Sequence, residues 1–311
     1  MSSNVYPPNA AAGTAPRQRE PIKAIPVRHV GRWVSAGIVL VLVATLIYAL
    51  ATNDNIQWSV VGQNLFDGTI MEGLFVTIWL TVLSMLLGIA LGIVLAVMRL
   101  SNNKVLSTVS WFYIWLFRGT PVLVQLLVWF NLALFFPRIG IGGLSADTNQ
   151  LITPFVAALL GLALNEAAYM AEIVRGGIIA IDPGQTEAAS ALGLTRGQTM
   201  RRVVLPQAMR VIVPPTGNEL ITMLKTTSLV TVIAANDLLT RAQAISARNF
   251  AVFEMLIVAS VWYLVLTSVA SYGQYHLERR FARGSAQVLS RTAMQRILAN
   301  LRPGRVSGGG R

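Results

Sequence analysis

Three uncharged apolar runs constrain this chain more than any other feature of its sequence. They are Trp33–Ala51, Gly73–Met98 and Met255–Tyr275, and they are 19, 26 and 21 residues long. About 20 apolar residues are enough for a helix to cross the hydrocarbon core of a bilayer. The runs lack the two-residue alternation of barrel strands, and only helices and closed barrels satisfy the backbone in lipid. The sequence therefore predicts an all-α integral membrane protein.

The positions of the basic residues indicate how the helices are oriented. The chain has 25 Lys and Arg against 13 Asp and Glu, and its net charge is +12. Twenty of the basic residues lie in four segments: five before Trp33, two in 99–104, five in 175–210 and eight in 279–311. In a six-helix chain with a cytoplasmic N-terminus, all four segments are cytoplasmic, which is the positive-inside pattern. We therefore expect both termini in the cytoplasm and attraction to membrane lipid, and no binding of nucleic acid.

Composition and chain breakers divide the sequence into four parts. We expect a disordered basic cytoplasmic tail over 1–32, an extra N-terminal transmembrane helix over 33–52, a core domain over 69–277 and a second basic cytoplasmic tail over 278–311. The six predicted spans are 33–52, 69–98, a kinked segment that ends near 136, 151–180, 216–234 and 252–277. Residues 138–150 are predicted to be an external loop, and 236–249 a short external helix.

Glycines and prolines refine this prediction. Gly88 and Gly92 have the spacing that lets two membrane helices pack closely. Pro121 predicts a kink between an interfacial helix and the third span, because proline lacks a backbone N–H. Pro214-Pro215 predicts a second break, after which Thr216 caps the start of the fifth span.

A polar segment over 181–213 is the most informative local pattern. It contains Glu187-Ala188-Ala189, then Gly193 after three residues, and Leu205-Pro206 further along. Good helix formers follow Gln185, the alanines are small enough for a close protein contact, and Gly193 lets the helix end or bend. Pro206 is expected to open a second, short helix. The spacing resembles the EAA loop of permease subunits of ATP-driven importers, which implies that this loop docks on an ATPase subunit.

Four further segments resemble the polar amino acid permeases of this class: RGTPVLVQLLVWF, NEAAYMAEIVRGGI, LPQAMRVIVPPTGNELI and KTTSLVTVI. The resemblance covers about 69–276. It implies the type I importer fold, with a five-helix core, in a bacterial plasma membrane. It also implies a second permease subunit, identical or related, together with two ATPase subunits and an extracytoplasmic amino-acid-binding protein. The chain has no phosphate-binding Gly-Lys-Ser/Thr pattern. We therefore expect no enzyme activity or cofactor in this chain, and ATP and Mg²⁺ bound by partner subunits.

The resemblance also suggests where substrate is contacted. Arg118 and Thr120 lie in the RGTP segment, and Asn218 and Glu219 lie in the GNE segment. An arginine beside a kink suits a substrate carboxylate. Two alternatives stay open: Arg118 holds the kink through free carbonyls or an acidic partner such as Glu172, and Asn218 caps a helix.

Two more charged residues have a structural interpretation. Glu172 is predicted to form a structural ion pair, and it should face a different side of its helix from Glu166, which lies six residues earlier. Lys225 is predicted to pair with an acidic group or to extend to the membrane surface.

Other classes of protein are less compatible with these residues. An enzyme or metal site is disfavoured because the chain has no cysteine and only two histidines, His29 and His276. An ion-coupled secondary transporter has no use for a long polar loop. An importer of an amino acid derivative, an opine or a small peptide would share every motif above, and the residues do not specify which amino acid is carried.

Overall fold

The computed structural model describes residues 30–141 and 144–281, so most of both predicted basic tails lies outside the described residues. The chain forms two units, one ending at Asn55 and one beginning at Ile56. The first unit contains helix α1, Val30–Ala51. The helices of the second unit are α2 Trp58–Asn64, α3 Gly68–Leu100, α4 Lys104–Gly119, α5 Val122–Phe130, α6 Thr148–Leu151, α7 Pro154–Ile179, α8 Pro183–Ala191, α9 Arg196–Thr199, α10 Leu205–Thr226, α11 Leu238–Asn249 and α12 Val252–Phe281.

The described residues include four helices that are long and apolar enough to cross a membrane, namely α1, α3, α7 and α12. Helices α4 and α5 make a fifth span if they are counted together, and they bend by 102° at their break. The predicted fifth span falls on α10 and the 3₁₀ helix Thr227–Ile233, which do not meet the same criterion of length and hydropathy. The helical membrane fold is therefore confirmed, while the count of six spans stays a prediction.

Side chains that accept hydrogen bonds at helix N-termini explain where the main helices begin. Asp67 accepts from Thr69 N at the start of α3, and Asn103 accepts from Val105 N at the start of α4. Thr153 accepts from Val156 N and is followed by Pro154 in the first turn of α7. These residue types satisfy backbone N–H groups that have no partner inside the helix. The ends predicted from the apolar runs for the spans 69–98 and 252–277 agree with α3 and α12 to within a few residues.

Close packing between α3 and α7 forms the centre of the second unit. A Cβ atom added to Gly88 would lie 2.5 Å from Cγ of Glu166, and one added to Gly92 would lie 2.5 Å from Cβ of Met170. The predicted role of this glycine pair in close helix packing is confirmed. Further along the same face of α7, a Cβ atom added to Gly177 would lie 2.3 Å from Cγ1 of Ile212 on α10.

The prediction that Pro214-Pro215 breaks the chain is wrong, because α10 runs through both prolines. Consequently Thr216 is not a helix cap; its Oγ1 donates to Ile212 O at 2.9 Å inside the helix. Proline fixes φ near the helical value, so each proline removes one hydrogen bond without forbidding a helical backbone. Packing of α10 against α7 and α12 keeps the segment helical.

The loop over 138–150 also differs from its prediction. Strands β1, Arg138–Ile141, and β2, Leu144–Asp147, pair in antiparallel register with Arg138 opposite Asp147. Neither strand has the length or alternation that would reveal it in a short, glycine-rich sequence. The strict all-α prediction therefore missed a short hairpin.

Two adjacent glycines test the packing of α7 on α10. A Cβ on Gly177 would collide with Ile212, whereas nothing lies within 4 Å of a Cβ on Gly176. We predict that Gly177→Ala lowers the free energy of unfolding by roughly 1–3 kcal/mol through overpacking. The matched control Gly176→Ala should leave stability unchanged or raise it. The thermal midpoint of the purified protein in detergent measures both, and equal midpoints would contradict the close contact.

Candidate functional site

The segment over 181–213 forms a compact turn of two short helices followed by a long one. Asp182 Oδ1 accepts from Gly184 N at 2.7 Å and caps α8. Gly193 ends this helix with φ +77°, where its N–H bonds Ser190 O and the N–H of Leu194 bonds Ala189 O. This hydrogen-bond pair is the Schellman motif, which requires a left-handed residue and favours glycine. The predicted helix end at Gly193 is thus confirmed.

The second half of the segment differs from its prediction. A capping box of Thr195 and Gln198 starts α9, and a π-helical turn, Met200–Val204, joins α9 to α10 without a break. Pro206 lies in the first turn of α10, a helix of 22 residues. The expectation of a second short helix at Pro206 is therefore wrong, and the polar segment continues directly into a core helix.

The surface of this turn combines charge with a prominent apolar side chain. Glu187 and Ala188 are exposed, whereas Ala189 is buried. Leu192 lies at the C-terminus of α8 and is 82% exposed.

The RGTP segment forms the elbow between α4 and α5. The amide of Gln125 donates to Phe117 O, Thr120 O and Thr120 Oγ1 at 2.9, 3.2 and 2.8 Å. The amide of Asn165 on α7 also donates to Phe117 O, at 2.9 Å. The free carbonyls of the kink are therefore occupied by amides, and Arg118 is not their donor.

Arg118 extends instead over an aromatic ring. Its guanidinium carbon lies 5.1 Å from the ring centroid of Tyr169, which is within the range of a cation–π contact. Glu172 pairs with Arg175, with Nη2 to Oε2 at 2.7 Å. The alternative in which Glu172 is the direct partner of Arg118 is therefore wrong, because Arg175 lies one helical turn away on the same face.

A cavity of about 380 Å³ lies beside Tyr169, between α5, α7 and α10. Its lining includes two carboxylates, Glu166 and Glu219, together with Asn165 and Thr222. Glu166 is only 3% exposed, and its Oε1 has no hydrogen-bond partner among the described residues. The cavity is thus a polar site with an unsatisfied acceptor in a low-dielectric region.

Asn218 does not line this cavity, although it is adjacent to Glu219. Its side chain is exposed, and its Oδ1 accepts from Gln274 Nε2 on α12 at 2.8 Å. Asn218 Nδ2 lies 3.5 Å from Pro214 O. The interpretation of Asn218 as a cap is wrong, because it lies inside α10, and the structure does not bring it together with Arg118.

Lys225 is exposed near the end of α10. Within residues 30–141 and 144–281, no carboxylate lies within 4.0 Å of its ammonium group. The structure therefore does not show the predicted ion pair for Lys225.

Comparison with known proteins identifies the family. Residues 88–283 match the family described as "Binding-protein-dependent transport system inner membrane component". The chain belongs to this permease family. The arginine transport system permease protein ArgU of Corynebacterium glutamicum is 49% identical over 284 residues, covering 91% of this chain and 90% of that protein.

Two further comparisons agree with this membership. The L-cystine transport system permease protein TcyB of Bacillus subtilis is 36% identical to this chain. The match covers 76% of this chain and 95% of TcyB. The crystal structure of an amino acid ABC transporter with histidines contains a chain that is 39% identical to this one, with a TM-score of 0.61. The match covers 68% of this chain and 94% of that chain. The permease is therefore an integral membrane subunit of an ABC importer of the amino acid class, which works with ATPase and binding-protein partners.

Sequence reasoning missed four residues around the elbow and the cavity: Gln125, Asn165, Glu166 and Tyr169. Asn165 and Tyr169 are four residues apart and so share one face of α7. Gln125 follows Pro121 by one turn. These spacings are visible in the sequence, but only the fold shows that Gln125 on α5 and the Asn165–Tyr169 face of α7 meet beside Arg118.

The left-handed conformation at Gly193 generates a test of the permease turn. Gly193→Ala places a Cβ at φ +77°, which costs about 1–2 kcal/mol. We predict a lower rate of ATP-driven uptake by the reconstituted transporter, because the tip at Leu192 loses its orientation. Gly197→Ala is the matched control, since Gly197 is helical and nothing lies within 4 Å of its Cβ position. Equal uptake by the two variants would show that the turn geometry is unimportant.

Proposed function

We propose that this permease imports a polar amino acid with a basic side chain through the cavity beside Tyr169. The observation that carries the proposal is the buried Glu166 carboxylate, whose Oε1 has no hydrogen-bond partner in the described structure. A second carboxyl group, that of Glu219, lines the same cavity. Two carboxyl groups in one cavity offer hydrogen-bond acceptors to a ligand that carries N–H donors and a positive charge. The 49% identity to an arginine transport permease supports the same substrate class.

In this proposal the charged groups of the cavity have complementary roles. Arg118 binds the substrate carboxylate, since its planar guanidinium presents two parallel N–H groups. Glu166 and Glu219 bind the cationic groups of the substrate, and Thr120 supports the elbow that carries Arg118. Asn218 belongs to the pathway rather than to the cavity, because its side chain contacts Gln274 on the neighbouring helix.

The cavity carboxylate provides a direct test. We predict that Glu166→Gln lowers the uptake of a basic amino acid roughly 10–100-fold, the equivalent of one charge-assisted hydrogen bond of about 1.5–3 kcal/mol. Arg118→Ala should abolish uptake, while the permease still assembles with its partner subunits. Uptake into proteoliposomes containing the whole transporter measures both effects.

Glu72→Gln is the matched control, because Glu72 is a largely exposed carboxylate paired with Arg241 outside the cavity. It should transport at the original rate. Normal uptake by Glu166→Gln would refute the cationic site, and loss of assembly in Arg118→Ala would assign Arg118 a structural role.

The coupling segment supports a specific assembly. Two ATPase subunits, which bind ATP and Mg²⁺, are proposed to dock on Glu187, Ala188, Ala189 and the turn at Gly193 in each of two permease subunits. Leu205 and Pro206 begin α10, so a displacement of the turn passes into a core helix. ATP binding then biases the helices toward an outward opening, and hydrolysis returns them inward. The complex lies in a bacterial inner membrane, and an extracytoplasmic binding protein delivers substrate to its outer face.

Reversing one charge tests the docking surface. We predict that Glu187→Lys lowers both the amount of ATPase subunit that copurifies with the permease and the rate of uptake, because like charges then meet across the interface. Asp54→Lys makes the same change at an exposed residue remote in sequence and should have no effect on copurification. Unchanged copurification by Glu187→Lys would exclude this docking contact.

A further inference from the structure

The backbone that carries Arg118 lacks its normal helical hydrogen bonds. In a continuous helix the N–H of residue 121 would bond Phe117 O, but residue 121 is proline and has no N–H. Beyond the bend, the N–H groups of Val124 and Gln125 both bond Pro121 O. The carbonyl of Thr120 therefore has no backbone donor from the next helical turn.

Two side-chain amides occupy these carbonyls. Gln125 Nε2 bonds Phe117 O, Thr120 O and Thr120 Oγ1, and Gln125 is only 8% exposed. Asn165 Nδ2 bonds Phe117 O and lies 3.3 Å from Gln125 Oε1. Buried carbonyls in a membrane protein require such partners, since water does not supply them.

The same helix that supplies one amide also contacts the Arg118 side chain. Asn165 and Tyr169 lie one turn apart on α7, and Tyr169 lies beneath the guanidinium of Arg118. Tyr113 Oη donates to Leu164 O at 2.9 Å and joins the end of α4 to α7 as well. The backbone on both sides of Arg118 and its side chain are thus fixed to one rigid element.

We infer that Gln125 and Asn165 are positioning residues for Arg118. They replace the hydrogen bonds that Pro121 removes, and they hold the elbow so that the guanidinium stays on Tyr169 at the edge of the cavity. This inference rests on the proposed role of Arg118 in substrate contact. Because α7 leads to Asp182 and the coupling turn, the two amides also join the elbow to the helix that enters that turn.

Gln125 gives the cleaner test, because it does not line the cavity whereas Asn165 does. In the complete transporter, reconstituted with its binding protein, Gln125→Met removes the amide and keeps the length of the side chain. We expect uptake at saturating substrate to fall about tenfold, with assembly retained. Asn131→Leu is the control, since it removes an amide that bonds only Leu127 O at the far end of α5. It should leave uptake unchanged, and an equal loss in both variants would overturn the inference.

A double-mutant cycle separates positioning from a general structural role. Arg118→Lys should lower uptake, and the addition of Gln125→Met should lower it no further if Gln125 acts through Arg118. Losses that multiply would overturn the positioning role and leave the proposed function of Arg118 intact. Full uptake by Arg118→Lys alone would overturn the proposed function, and the inference with it.

A milder variant covers the case in which Gln125→Met does not assemble. Thr120→Val removes the hydroxyl that accepts from Gln125 Nε2 and donates to Leu116 O at 2.9 Å, and this residue is partly exposed. We expect about a threefold loss of uptake that is also absent in the Arg118→Lys background. A loss of the same size in both backgrounds would overturn the inference.

Discussion

The need to satisfy backbone hydrogen bonds shapes the helix ends and bends of this permease. At the elbow, Pro121 removes a donor and two side-chain amides take its place. At Gly193, backbone N–H groups close the end of α8 within a Schellman motif. At Pro214-Pro215 the helix continues, and it packs there against α7 and α12. Three similar breaker signals thus have three different outcomes.

Helix α7 connects these features. One face approaches α3 closely at Gly88 and Gly92, and it approaches α10 further along at Gly177. Between those contacts, α7 supplies Glu166 to the cavity and Tyr169 to Arg118. Its C-terminus leads within three residues to Asp182, which caps α8. Because small residues allow this close packing, α7 forms one rigid element between the cavity and the turn at Gly193.

The limits of sequence reasoning follow from the range of each interaction. Gly193 acts on neighbours within a few residues, so the helix end that it forms was predicted from the sequence. The path of α10 through two prolines depends on helices distant in the chain, and the local rule failed there. The structural ion pair predicted for Glu172 forms with Arg175, one turn away on the same helix, and not with Arg118, whose pairing with Glu172 was one open alternative.

The sequence by itself determined the membrane class, the principal helices and the family, because apolar length and motif spacing are properties of the chain read in order. Only the tertiary structure decided which polar residues share a site. It placed Glu166 and Glu219 in one cavity, removed Asn218 from it, and brought Gln125 and Asn165 to the elbow. The physical reason is that these groups lie on separate helices, and the facing of two helices is set by packing across them rather than by the residues of either one.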